Sequence, residues 1–313
     1  MDNVRLYKFD NIKFLLIFFV VFAHLLELFD TNGAIYRWIY SFHMPFFIFI
    51  FGFFSKFKIK NLLNKFILPY MIFQVLYILF ENYILHNNLT MQFYQPYWLL
   101  WYLFSSAIYL LILPIINVKN KYLKITILLI SVIISLLIGY LDDVGYRYSL
   151  SRTFVFLPFF ILGVYFKNSY RVLENKFNST TRKTKIIIKL LFLILLIISS
   201  ILAIKYNTNR LALYGSYSYN NANYTILDRS RMLLLALAII FSVIVLIPNK
   251  ECSFISKYNN SYSIYLLHGF FIKLFAYYDI FHFPIYFNYA LSLIITIIMV
   301  ILLGNKFVAK IFK

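Results

Sequence analysis

The fold the sequence predicts is an all-α polytopic membrane protein with about ten transmembrane helices. Three observations predict it. Of 313 residues, 62% are hydrophobic and only 13% are charged, whereas a soluble domain holds about 45–50% apolar and about 25% charged residues. The apolar residues come in unbroken runs such as LLIFFVVFA and LLFLILLII, which do not alternate as the strands of a barrel do. Basic residues collect in every second connection between those runs. A soluble enzyme and a disordered tail are thereby excluded. The formal charge of +19 is spread between apolar runs rather than held in one patch, so lipids are expected as partners and nucleic acid is not. One cysteine, Cys252, excludes a disulfide framework and reads as a free thiol in a loop.

Runs long enough for a hydrocarbon core of about 30 Å are expected at 11–29, 39–54, 66–85, 97–116, 122–141, 153–166, 186–204, 232–248, 261–278 and 285–303. Without water, their backbone groups must be satisfied internally, which makes them helices. The first follows a basic segment, but no small-residue cleavage site lies behind Ala23, so it reads as a permanent helix and not a signal peptide. The second is short, and a kink at Pro45 is expected in its outer entry. The sixth is shorter still. Segment 205–231 is rich in Tyr and Asn and is expected to fold over the outer mouth. No internal repeat or soluble domain is visible.

Lys and Arg counted by connection orient the chain. With the N-terminus in the cytoplasm, the inner segments, ending with Lys313, hold 21 of the 30, and the outer segments hold seven. Both termini are therefore expected in the cytoplasm. Richness in Ile, Lys, Asn and Phe fits an AT-rich bacterial genome, and with it a multi-pass protein of the bacterial plasma membrane.

Ionisable residues inside a bilayer are expensive and point to function. The first helix carries Asp10, Lys13 and His24. Eleven residues at about 100° each come within roughly 20° of whole turns, so Lys13 and His24 share a face, about 16 Å apart. Lys13 falls near the cytoplasmic boundary and His24 in the outer half. Glu27, one turn on, is placed to orient or charge the imidazole. The plainer reading is that Lys13 snorkels and His24 bonds a neighbouring carbonyl. The second helix adds His43, near its outer boundary, and a helical hairpin can bring His43 to the depth of His24. Arg152 opens the sixth span, and Arg229 and Arg231 flank the eighth. Each can anchor a helix end to headgroups; together they can surround the histidines with donors for a phosphate or an oxyanion. Trp98, Trp101 and Tyr102 read either as an aromatic belt or as a stacking platform for a sugar ring. Ser261, Tyr265 and His268 lie in the ninth span. No His-x-x-x-His, Cys cluster, phosphate loop or nucleophile elbow is present, so no metal is expected.

Taken in order, these residues resemble the integral membrane acyltransferase-3 family, and within it the branch related to fucose 4-O-acetylase. Lys13 and His24 match its Arg/Lys-x10-His signature, with Asp10 before it. Phe42 to Pro45 match FHMP, with Gly52 and Phe53 behind; Ile67 to Tyr70 match ILPY; Trp101 to Leu103 match Trp-Tyr-Leu. Arg152 with FLPFFILG, and SYSIYLLH from Ser261 to His268, resemble two further blocks. The chain departs from the family at Phe51, where a Ser is common. The resemblance runs from about residue 8 to about 270 and implies one acyltransferase domain over 1–313. It implies transfer of an acyl group, usually acetyl, from acetyl-CoA or another acyl-CoA to a hydroxyl of an extracytoplasmic or lipid-linked glycan, with no permanently bound cofactor. It casts Lys13 and Asp10 at the donor's phosphates and His24, His43 and Arg152 in catalysis. Trp98, Trp101, Tyr102, Glu27, Arg231 and His268 are the candidates for substrate contact. A glycan or small-solute transporter or flippase, an O-succinyltransferase and a scaffold protein are the competing expectations.

Overall fold

A computed structural model describes residues 5–311; Lys313, counted above among the inner basic residues, lies outside them. All regular elements among the described residues are helices. They run α1 Tyr7–Leu26, α2 Ala34–Phe54, α3 Ile59–Tyr83, α4 Trp101–Ile116, α5 Lys121–Leu137 and α6 Leu150–Ser179. They continue with α7 Arg182–Tyr206, α8 Ile226–Leu246, α9 Ser261–Tyr277 and α10 Ile285–Gly304. Among the described residues nine of these, with short helical turns leading into α4 and α6 and one following α5, are long and apolar enough to cross a membrane. The exception, α9, has 17 residues. The chain is thus all-helical and polytopic.

Boundaries differ from expectation where polar residues continue a helix beyond its apolar run. The sixth span, expected at 153–166, is part of a 30-residue helix carrying Arg171, Glu174 and Lys176 in its last turns. The third begins at Ile59, with Lys60 and Lys65 already helical around a π turn at Leu63–Ile67. The second starts at Ala34, ahead of the expected 39, and runs through Pro45 to Phe54. The eighth starts at Ile226, so Arg229 and Arg231 lie within its first turns.

The chain forms two compact units, each assembled from separate stretches. One comprises the residues up to His43, Lys189–Thr208 and the chain from Leu235 on; the other comprises Met44–Ile188 and Asn209–Leu234. In the first, α1, α9 and α10 pack together. Asp10 stands in the first turn of α1, with the sign the helix dipole favours, and His24 stands in its last. Ser263 on α9 donates to the Leu303 carbonyl at 2.6 Å, and Phe29 stacks on Phe281 at 5.1 Å. The connection after α1 thus packs on the connection between α9 and α10.

In the second unit α6 is the hub, packed against α4 and α5. Small and polar side chains let these helices approach, as in other membrane bundles. The Ser105 and Thr153 hydroxyls lie 2.7 Å apart, Tyr109 donates to the Thr153 carbonyl at 2.7 Å, and Ser135 donates to the Val155 carbonyl at 2.8 Å. Asn120 caps α5, accepting from the Tyr122 and Leu123 amides. Two glycines act as a pair. A Cβ on Gly52 would overlap the Phe160 carbonyl, and one on Gly163 would overlap the Phe49 carbonyl. The Gly-Phe and FLPFFILG blocks are therefore the two sides of one close helix contact.

Candidate active site

His24 stands in the last turn of α1, and its Nδ1 lies 3.0 Å from Oε2 of Glu27, the first residue past the helix. A spacing of three puts the two side chains on one face. Tyr40 of α2 brings its hydroxyl to 3.2 Å from the same Nδ1 and 3.4 Å from the same carboxylate oxygen. An ionised carboxylate only accepts, so Nδ1 carries the hydrogen and Nε2 is the basic nitrogen. Tyr40 also meets the His43 ring edge-on at 4.8 Å. His43, 3% exposed, donates from Nδ1 to the Ile39 carbonyl at 2.8 Å. On α9, His268 is fully buried, donates from Nδ1 to the Ile264 carbonyl at 2.9 Å, and sets its ring 5.6 Å from that of His24.

Three of the five histidines therefore gather at the end of α1, with one carboxylate and one phenol between them. His24 reaches His43 by way of Tyr40, which sequence reasoning passed over. The signal was available: Tyr40 precedes His43 by three residues and so shares its helix face. This cluster can take a proton at His24 and hold it against Glu27. His43 and His268, bonded only to carbonyls of their own helices at Nδ1, are suited to bind as neutral rings.

The other end of α1 carries the second candidate group. Lys13 Nζ lies 2.8 Å from Asp10 Oδ1, and Arg5 Nε lies 2.7 Å from Asp10 Oδ2. Lys13 keeps a third of its side chain exposed. Asn11 donates to the Lys250 carbonyl at 3.0 Å, and the Lys8 amide donates to the Asn249 side chain at 3.0 Å. The connection before α9 is thus pinned beside Lys13.

The remaining candidates belong to the second unit. The Arg152 guanidinium lies 5.1 Å from both the Trp101 and Tyr146 ring centroids, and its Nε donates to the Tyr214 carbonyl at 3.1 Å. Burial pushes the Tyr146 phenol up to about 12 even though the Arg152 charge pulls it down. The ring thus meets the cation as a neutral phenol, whose face attracts it. Ser151 next door donates to the Gly215 carbonyl at 2.7 Å. Trp101 is a wall of this cage. Tyr102 packs on Phe47 and Phe51, and the half-buried Trp98 opens the turn into α4 with a left-handed φ of 33°. Arg231 pairs with Asp228 at 2.5 Å.

Arg229, expected at a helix end near headgroups, is fully buried. It donates to the carbonyls of Ser135 and Tyr217 at 3.2 and 3.1 Å and to the Tyr224 hydroxyl, and lies 4.7 Å over the Tyr219 ring. It is a strut that ties segment 209–225 to α5. That segment holds two short helices, Arg210–Tyr214 and Tyr219–Ala222, and is an ordered part of the second unit.

No curated protein and no solved structure matches the chain. The model of the acyltransferase-3 family, described as an acyltransferase domain, matches residues 6–304. That span contains the whole His24 cluster, Lys13 and the Arg152 cage. With this match and its membrane-crossing helices, the chain belongs to the acyltransferase-3 family and is a membrane acyltransferase.

Proposed function

We propose that the protein is an O-acetyltransferase of the bacterial plasma membrane. It takes acetyl from cytoplasmic acetyl-CoA and transfers it to a hydroxyl of an extracytoplasmic or lipid-linked glycan. The observation that carries this reading is the His24–Glu27 pair, with Tyr40 on the same nitrogen. A half-buried imidazole backed by a carboxylate is suited to general-base work on a hydroxyl. Lys13 and the basic connections fit the donor's phosphates at the cytoplasmic end of α1. A pantetheine arm running between helices covers the roughly 16 Å from Lys13 to His24.

In this mechanism the acceptor hydroxyl attacks the thioester carbon while His24 Nε2 takes its proton. The C–O bond forms, the C–S bond breaks, and His24 returns the proton to the leaving thiolate. Glu27 stabilises the positive ring meanwhile. His43, with its lone pair at Nε2, can accept a hydrogen bond from the acceptor's hydroxyls, and Arg152 is the sequence-based candidate for the tetrahedral oxyanion. Covalent acyl-His24 is the alternative route.

The test compares wild type with His24→Ala and His43→Ala at equal membrane levels, scoring ester groups on the glycan by mass spectrometry. Mass added per site separates acetyl from succinyl. Loss of the ester in His24→Ala is expected. Wild-type acetylation in that variant would sink the mechanism, and unmodified glycan moved across the membrane by it would favour the transporter.

A further inference from the structure

The imidazoles of His24 and His268, 5.6 Å apart at the end of α1, are held differently. His24 has a carboxylate at 3.0 Å, so it can carry a positive charge. His268 has no carboxylate pair among the described residues; its polar anchors are carbonyls of its own helix, that of Ile264 at 2.9 Å from Nδ1 and that of Tyr265. A carbonyl only accepts, so Nδ1 bears the hydrogen and Nε2 bears the lone pair. The side chain is fully buried, and among the described residues Nε2 has no hydrogen-bond partner. Buried polar atoms in folded proteins are nearly always paired, so an unpaired lone pair beside the candidate base is open to a ligand or a water. An isolated charge in such a place is costly, so His268 is unsuited to taking a full proton. What it can do is accept a hydrogen bond from a neutral donor.

We infer that His268 Nε2 receives a second hydroxyl of the acceptor, one carbon away from the hydroxyl that His24 activates. The rings stand 5.6 Å apart, tilted by 32°, a spacing that neighbouring hydroxyls of one sugar ring can bridge. The acceptor class is therefore a vicinal diol. A site built to bond a hydroxyl discriminates strongly against the analogue lacking it, because its own buried group is then left unpaired. This inference rests on the O-acylation proposed above and adds which hydroxyls are eligible.

The experiment uses the source organism, deleted for this chain and complemented with wild type, His268→Phe, His268→Gln or His24→Ala at matched membrane levels and melting temperatures. Glycan esters are quantified and located by two-dimensional NMR. The expected ester sits on a carbon whose neighbour carries a free hydroxyl. His268→Phe is expected to lower acylation roughly 10- to 100-fold. His268→Gln, whose amide oxygen can accept the same bond, is expected to retain most of it. An ester on a carbon with no free neighbouring hydroxyl overturns the inference, as does wild-type acylation in His268→Phe or an equal loss in Phe and Gln. His24→Ala reports separately on the base: if it alone keeps full acylation, the mechanism fails whatever His268 does. A wild-type glycan without esters overturns both.

Discussion

Replacing Glu27 by Gln keeps the shape of the side chain and removes its charge, which makes it a sharp probe of the candidate site. In the structure Oε2 lies 3.0 Å from His24 Nδ1, with the two side chains 25% and 13% exposed. A hydrogen bond to a charged group contributes about 1.5–3 kcal/mol and a neutral one about 0.5–1.5. The charge itself is thus worth about 1–2 kcal/mol, and partial exposure of the carboxylate favours the lower figure. The ring is positive only while it holds the acceptor's proton, so the loss falls on the transition state and not on binding. At about 1.4 kcal/mol per factor of ten, kcat should fall about tenfold with the donor KM unchanged. Tyr40→Phe removes a neutral contact to the same nitrogen and should cost about threefold. Because Tyr40 and Glu27 touch, the double variant should deviate from the product of the two effects. The assay is transfer of labelled acetyl from acetyl-CoA to glycan in membrane vesicles. An unchanged kcat in Glu27→Gln would refute the assignment of His24 as a base paired with Glu27.

Three further outcomes are expected. Arg229→Met removes a donor from the Ser135 and Tyr217 carbonyls and the Tyr224 hydroxyl in a buried place, while the Tyr224–Tyr217 hydrogen bond remains, which should lower stability by about 1–3 kcal/mol; an unshifted thermal melt in detergent would contradict the strut. Gly163→Ala drives a methyl into the Phe49 carbonyl and should cost about 1–3 kcal/mol through overpacking, read by the same melt. If Lys13 binds the donor's phosphates, wild type should favour acetyl-CoA over the thioester lacking the 3′-phosphate, and Lys13→Ala should erase that preference. A preference equal in both proteins would remove Lys13 from the donor site.

Much of the fold was legible because a bilayer leaves few alternatives. An apolar run of the length of 97–116 must satisfy its own backbone, and helix is the one way to do so in a single segment. What stayed hidden were helix ends made of polar residues. Hydropathy reports where lipid is, not where hydrogen bonding stops, so the continuation of α6 through Arg171 and Lys176 to Ser179 has no apolar signature. Arg229 shows the same limit in reverse. An arginine near a span boundary reads as a headgroup anchor, and only tertiary structure shows three protein acceptors in place of lipid.

The site divides in the same way. His24 and Glu27 lie three residues apart, so helix periodicity alone joins them, and this local pair was visible. His268 comes from a helix far along the chain, and no spacing rule connects it to His24. Its burial beside that ring depends on α1 packing against α9. The chemical difference between the histidines is equally non-local, since it turns on whether a carboxylate or a carbonyl sits at Nδ1. Glu27 makes His24 a group that can hold charge, and Ile264 makes His268 one that binds as a neutral ring. If both were bases, a single hydroxyl would face two competing lone pairs, and one would stay unfilled in every step. Assigning one to the reacting hydroxyl and the other to its neighbour fills both at once, which is why a diol suits this cluster better than an isolated alcohol.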